Sequence, residues 1–401
     1  MLLAHKIELK ANNKQKTYFA KASGVARKAY NWALDEWQKE YSEGGKPTET
    51  ALRRKLNSIK KEKFPYMLEV TKNAPQMAII QLGQAFKNFF AKRSSYPQFR
   101  KKWRDDRFTL TNDQFAVMDC RIRIPHMGWV RMRESLRFQG KIMSATISRR
   151  ANKWFVSITV EMPEGSIKTA NENQVAVGVD LGIKHFATLS TGEKIQGPKP
   201  HKRLLNRVKR LSRSLSRKKK GSKNRQKAKL KLACLHAKIA NIRQDPIHQL
   251  TTQLTENYSH IGIEDLNVKG MMQNRRLSRS IADMSFYEFR RQMEYKTRIR
   301  NKTLVIVDRW YASSKICSNT DCGFKNTELR LSDREWICPQ CKKQHDRDLN
   351  SAINLEKKAV SSTVRANSAY ACGAASDGIV ALASISHVAL KQESNSNLLH
   401  R

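Results

Sequence analysis

The chain has 401 residues, long enough for two or three compact modules, and a 39% hydrophobic content that can fill real cores, which excludes a wholly disordered protein. Lys plus Arg total 77 against 35 for Asp plus Glu, a formal charge of +42 that repels itself in a compact chain unless a polyanion neutralises it. No apolar run approaches the ~18 residues of a membrane span and no secretory signal pattern is present, so nucleic acid, and not a membrane surface, is the expected partner.

In chain order, His5 to Lys10 alternates apolar and polar residues and predicts a short strand. From about Lys14 to Arg104 the period becomes helical. Val25, Ala29, Trp32 and Ala33 share one face, and Ile79, Leu82, Phe86 and Phe89 share another; both are ordinary helix cores. Residues 107 to 162 return to a β pattern, with strands at Phe108–Leu110, Cys120–Ile124 and Trp154–Val160 and a turn at Pro125–Gly128, as in a small barrel or sandwich. Pro163 to Asn173 is polar and predicts a linker. Strands then recur at Val175–Asp180, Phe186–Leu189, His260–Glu264 and Leu304–Asp308, with a turn at Thr191–Glu193 and long helical segments between, which predicts an α/β sheet.

No acidic residue occurs between Glu193 and Asp245. Within this stretch Lys202 to Arg243 is dense in Lys and Arg, with Leu204, Val208, Leu211 and Leu215 in helical register. A solvated face usually mixes its signs; a one-signed run predicts paired helices lying along a phosphate backbone. After Val360 the chain is small and polar and is expected to be disordered, with a weakly apolar patch from Ile379 to Leu390.

Seven cysteines are present, and four cluster as Cys317-x4-Cys322 and Cys338-x2-Cys341, with fifteen residues between the pairs. Cys120, Cys234 and Cys372 are scattered. An odd count with one tight cluster predicts a metal site in a reducing, cytoplasmic compartment, not a disulfide framework. Four thiolates suit a structural Zn²⁺ that supplies the folding energy of a ribbon too small for its own core, with iron–sulfur as the alternative. His345 is close in sequence, outside a shell that four sulfurs already complete.

Asp180 and Glu264 each end a buried apolar strand, where a carboxylate is costly unless it is paired or liganded. By alternation Asp180 shares its face with Ala176 and Gly178, and Glu264 with Gly262; these small neighbours would leave room for metal and substrate. Asp348 precedes the helical pattern Ser351–Leu355, where an acid can equally be a helix cap. Asp265, Asp308 and Asp346 rank beside them by position. Converging carboxylates would suit hydrolysis of a phosphodiester by two Mg²⁺ ions.

The strings Gly178–Leu189, Ile263–Asn267, Tyr295-Lys296, Ser313–Cys317 and His345–Asn350 together resemble the TnpB family, the OrfB-type proteins of insertion sequences related to compact type V CRISPR effectors. Arg27–Ala33, Ser216–Ser222 and Asn241–Asp245 resemble it as well, in the same order along the chain to about residue 358. The resemblance implies a multi-domain α+β and α/β protein. A wedge-like β-barrel (1–12 and 105–170) would be interrupted by a helical recognition module (13–104). A RuvC-like, RNase H-type nuclease domain (171–310 and 344–360, with a basic helical insert at 198–250) would be interrupted by a zinc-binding insert (311–343), and 361–401 would be a disordered tail. It also implies that Asp180, Glu264 and Asp348 bind two catalytic Mg²⁺ ions and that Cys317, Cys322, Cys338 and Cys341 bind one Zn²⁺.

The implied activity is RNA-guided cleavage of double-stranded DNA beside a short adjacent motif, with guide RNA from the transposon end; pairing reads the sequence and the protein reads shape. A bacterial, nucleoid-associated protein, monomeric or dimeric with one RNA, would follow. Lys72 and Gln76 resemble the region that contacts the adjacent motif, Gln being suited to adenine edges. Arg334 is a candidate to reach the scissile phosphate, and Arg217, Lys218, Lys219 and Lys220 are candidate contacts to RNA or heteroduplex phosphates. The alternatives are an RNA-binding zinc protein that regulates without cutting, and a transposase that joins strands.

Overall fold

A computed structural model describes residues 1–163, 174–330 and 332–371. Beyond Pro163, the expected linker lies outside the described residues, as does the patch Ile379–Leu390. Strand β1 (Leu2–Leu9) leads into helix α1 (Asn13–Ser42), followed by α2 (Glu49–Lys63) and α3 (Asn73–Phe90). The helical expectation to Arg104 overshoots. Ser94, Ser95 and Pro97 do not continue α3, and the following segment is held by Asn31, whose side chain pairs with both backbone groups of Arg100.

Strands β2 (Arg107–Thr111), β3 (Ala116–Met118), β4 (Arg121–Ile124), β5 (Gly128–Arg131), β6 (Lys141–Arg150) and β7 (Lys153–Glu161) follow. They form a four-stranded antiparallel sheet in the order β1-β7-β6-β2 and a three-stranded sheet β3-β4-β5. The two sheets join where β1 continues into the Leu9–Met132 bridge. Cys120, expected in a strand, sits in the turn before β4. Leu3, His5, Ile7 and Leu9 alternate inward from β1, and Phe19 of α1 packs 5.4 Å from Trp154 and 6.2 Å from Phe108. The helices and these strands therefore share one hydrophobic core.

The second body is a five-stranded sheet of β8 (Gln174–Leu181), β9 (Ala187–Leu189), β10 (Lys194–Ile195), β11 (Tyr258–Glu264) and β12 (Thr303–Val307). Its order is β10-β9-β8-β11-β12. β8, β11 and β12 run parallel, and β8-β9-β10 is an antiparallel meander. Helices α4 (Pro200–Ser216) and α5 (Lys223–Asn257) precede β11; α6 (Val268–Gln273), α7 (Ser278–Met284) and α8 (Phe286–Ile299) follow it. One face of the sheet buries Val177, Val179, Ile261 and Ile263 against Leu250 and Leu254 of α5 and Phe289 and Met293 of α8.

A short ribbon, β13 (Glu335–Ile337) paired with β14 (Gln344–Asp346), leads into α9 (Arg347–Ala371), which crosses the other face. No glycine or proline interrupts α9, so residues 361–371, expected to be disordered, continue the helix. No helix among the described residues is long and apolar enough to cross a membrane.

Candidate functional site

Gly178 and Gly262 sit opposite each other in the β8–β11 register, both facing α9. A Cβ at Gly178 would lie 1.8 Å from the Ala352 carbonyl oxygen, and one at Gly262 would lie 2.3 Å from that of Leu355. The small face of the two strands is thus filled by the backbone of α9. This corrects the expectation that these glycines leave room for metal and substrate. Their role is to let the helix approach the sheet.

Two residues further along each strand, on the same face, stand Asp180 and Glu264, just beyond the Val179–Ile263 pair. Asp348 lies on α9 one turn before Ala352, in a stripe with Leu355 and Ala359. The three carboxylates thereby converge where the strand ends meet the start of the helix. Asp180 is half-buried, with its carboxyl deep among neighbouring atoms. Burial pushes it up to about 7, and the charges of Asp348 and Glu264 push the same way, against the pull of Ser351 and Arg347. Burial, then the neighbouring Asp265, raises Glu264. The Ser351 hydroxyl donates to Asp180 Oδ1 at 2.9 Å and lies 2.9 Å from the Ser313 hydroxyl.

The competing acids have other tasks. Asp346, not Asp348, caps α9, accepting the Asp348 and Leu349 amides at 3.0 Å each, and pairs with Lys194 at 2.6 Å. Asp265 is clamped by Arg309 and Arg290, whose hydrogen bonds hold its carboxyl below the usual range. Asp308 accepts the Trp310 amide at 2.8 Å and closes a turn. Arg334 and Arg347 stand 3.7 and 3.5 Å from Asp348.

The four expected thiols come together. All four sulfurs lie within 4.8 Å of one another, with Cys317–Cys341 and Cys322–Cys338 each at 3.6 Å. A tetrahedron with metal–sulfur bonds of about 2.3 Å puts its sulfurs about 3.8 Å apart, so the donor set fits. Among the described residues no other His, Cys, Asp or Glu group packs its ligand atoms this tightly, and the three carboxylates stand wider. The His345 ring nitrogen Nε2 lies 3.1 Å from Cys317 Sγ, with the Trp336 ring 4.8 Å away.

Asn350 and Asn354 donate at 2.7 Å to the Ile316 carbonyl, and Asn350 accepts the Ser318 amide. They bolt the Cys317 loop to α9. Their roles, and that of Ser351, were missed in sequence. Polar residues at a one-turn spacing on an otherwise apolar helix face were the available signal.

Lys72 precedes the first residue of α3, with no side-chain cap bond, and Gln76 follows one turn later; both are exposed. Arg217, Lys219 and Lys220 are exposed at the turn between α4 and α5, and Lys218 is half-buried there. Arg225 ties this turn by donating to Leu215 and Lys218. Within Lys202–Arg243 only Arg243 forms an ion pair, with Asp283, among the described residues.

Three family models match: "Probable transposase" of the OrfB type over 156–275, "Cas12f1-like, TNB domain" over 286–355, and "Helix-turn-helix domain" over 1–46. Residues 1–46 here form β1 and the single helix α1, not two helices. A Streptomyces pristinaespiralis protein provisionally named an RNA-guided DNA endonuclease is 37% identical over 88% of each chain. InsQ of Escherichia coli K12, with the same provisional name, is 32% identical over 88% of this chain and 91% of its own. Among solved structures, the Cas12f1-sgRNA-target DNA complex matches with a TM-score of 0.52 at 15% identity, covering 85% of this chain and 83% of that one, a likeness of fold. With relatives this similar over nearly their whole length, the chain belongs to the TnpB (OrfB) family.

Proposed function

We propose that this chain is an RNA-guided DNA endonuclease that hydrolyses phosphodiesters at Asp180, Glu264 and Asp348 with two Mg²⁺ ions. The observation that carries the reading is the convergence of three carboxylates from β8, β11 and α9, with Asp180 raised by burial and by the other two. A cluster that repels itself is costly to bury, and divalent cations relieve that cost. Bound Mg²⁺ would activate a water and neutralise charge building on the phosphate.

The chain's own residues do the rest. Ser351 orients Asp180, Asp346 fixes the first turn of α9 so that Asp348 keeps its position, and Arg334 at the rim is available to a phosphate. The sheet order, a meander joined to two parallel strands, suits an RNase H-type, RuvC-like domain. On this reading the Cys317, Cys322, Cys338 and Cys341 set holds one structural Zn²⁺, and the β1–β7 body is the wedge around the helical recognition module. Lys72 and Gln76 would read the adjacent motif. The basic α4–α5 hairpin would carry guide RNA, and a nucleoid-associated protein would follow.

The test is cleavage of double-stranded DNA by the protein purified with its RNA. Asp180→Ala, Glu264→Ala and Asp348→Ala should each abolish cutting in Mg²⁺ while RNA binding stays near normal. Wild-type rates in any one variant would remove that residue from the site; no cutting by the wild type beside any adjacent motif would favour the non-cleaving regulator.

A further inference from the structure

Of the seven tryptophans, Trp37, Trp154 and Trp336 are buried, while Trp310 is 85% exposed. Trp103, at 54%, has the Arg149 guanidinium 4.6 Å from its ring. Among the described residues no ring or cation stacks on Trp310, whereas its neighbour Tyr311 has the Lys358 ammonium 5.0 Å away.

The segment carrying Trp310 is fixed at both ends, and both ends lie at the carboxylates. Val307 pairs in register with Glu264. Three residues beyond Trp310, Ser313 contacts Ser351, the residue that donates to Asp180. Between them the Asp308 carboxylate accepts the Trp310 amide at 2.8 Å, the Tyr311 amide returns to the Asp308 carbonyl at 3.0 Å, and Arg309 is locked on Asp265. Three residues reach at most about 11 Å. At ~3.4 Å per stacked nucleotide, Trp310 therefore stands within about three nucleotides of the Ser313–Ser351 contact beside Asp180. The charges fixed around this turn are paired: Arg290 and Arg309 hold Asp265, Arg290 also holds Glu294, and Asp308 accepts the Trp310 amide.

We propose that Trp310 is a stacking platform for an unpaired base of the DNA strand entering the carboxylate site. An indole held at a rigid backbone turn and open on its surroundings has the chemistry that receives a splayed nucleobase without reading its identity. The proposal rests on the endonuclease reading and names a residue that holds substrate there, outside the metal-binding acids.

The test uses the full chain with its co-purified RNA and a single-stranded DNA probe carrying 2-aminopurine at successive positions. In wild type one position is quenched by stacking. Trp310→Ala should restore that fluorescence and weaken binding of the strand by roughly 5- to 150-fold. It should raise KM for DNA with RNA binding, zinc content and melting unchanged. Trp310→Phe should recover most of the quench. Equal binding, equal cutting and no fluorescence change in Trp310→Ala would overturn the proposal, as would a quench seen only with 2-aminopurine in the RNA. A wild type that shows the Trp310-dependent quench but cuts no DNA would sink the endonuclease reading and leave the stacking site standing.

Discussion

Replacing Gly178 by Ala tests whether the catalytic geometry depends on how closely α9 lies on the sheet. The new Cβ would sit 1.8 Å from the Ala352 oxygen and 2.5 Å from the Glu356 nitrogen, both helix backbone. Neither can rotate away, so the helix must withdraw by about 1.6 Å to reach an ordinary contact of 3.4 Å. Overpacking of this kind costs about 1–3 kcal/mol. The same shift carries Asp348 and Ser351 away from Asp180, and a misplacement of about 1 Å can reduce a rate by roughly 100-fold. Cleavage should therefore fall far more than the fraction folded. Gly24→Ala in α1 is the control: its Cβ would meet only a guanidinium nitrogen at 3.9 Å, so it should be neutral or stabilise by about 0.5–1 kcal/mol. Melting curves and single-turnover cleavage read the two effects separately. Wild-type melting and wild-type cutting in Gly178→Ala would refute the close-approach account.

The two acids of the Asp-Arg-Asp motif should separate. Asp346→Ala loses a cap and the Lys194 ion pair and should destabilise by about 1 kcal/mol, whereas Asp348→Ala should melt at or above wild type yet abolish cleavage. Asp180 predicts a pH dependence: its carboxyl, raised from 3.8 to about 7, keeps in the folded state a proton that the unfolded chain has lost. Stability of the metal-free protein should therefore fall as pH rises through that window, by up to about 4 kcal/mol. Asp180→Asn should flatten the profile and Mg²⁺ should offset the loss; identical pH profiles of wild type and Asp180→Asn would refute this. Elemental analysis should find one Zn²⁺ per chain, and Cys338→Ser should speed hydrogen exchange in 313–318, the loop that Asn350 and Asn354 hold; full activity and native melting without metal would contradict a structural site. Changing Arg217, Lys218, Lys219 and Lys220 to Gln should lower the slope of log affinity for RNA against log salt by roughly 3–4 if all four contact phosphates, and hardly at all if they are solvated.

The strands ending in Asp180 and Glu264 were legible because an apolar run closed by an acid is a local pattern, and the cysteine spacing was legible for the same reason. The function of Gly178 was not. Alternation tells which face a residue occupies, but the helix covering that face comes 174 positions later, at Ala352. Local spacing likewise could not separate Asp346 from Asp348; the choice is made by which carboxylate turns back to the helix amides. Strand β6 escaped notice because Ala145 and Ile147 alone are buried along its ten residues, and β3 and β5 are too short to carry a pattern. Trp310 went unremarked because a tryptophan in sequence reads as core, and only its exposure marks it otherwise.

The basic hairpin and the acid cluster present opposite problems of charge. Along α4, Leu204, Val208, Leu211 and Leu215 are only half-buried, so the apolar seam against α5 is thin while lysines and arginines crowd the outer faces. Like charges on adjacent turns repel, and among the described residues Asp283 alone supplies an ion pair to this stretch, at its base. At the other site three acids face one another with guanidinium groups only at the edge. Among the described residues neither cluster is neutralised by its neighbours; on the proposed reading a polyanion would relieve one and divalent cations the other. On the proposed reading, the two segments, joined through β11, would be completed by RNA at one end and by metal at the other. The chain alone should therefore be less stable than the chain loaded with either.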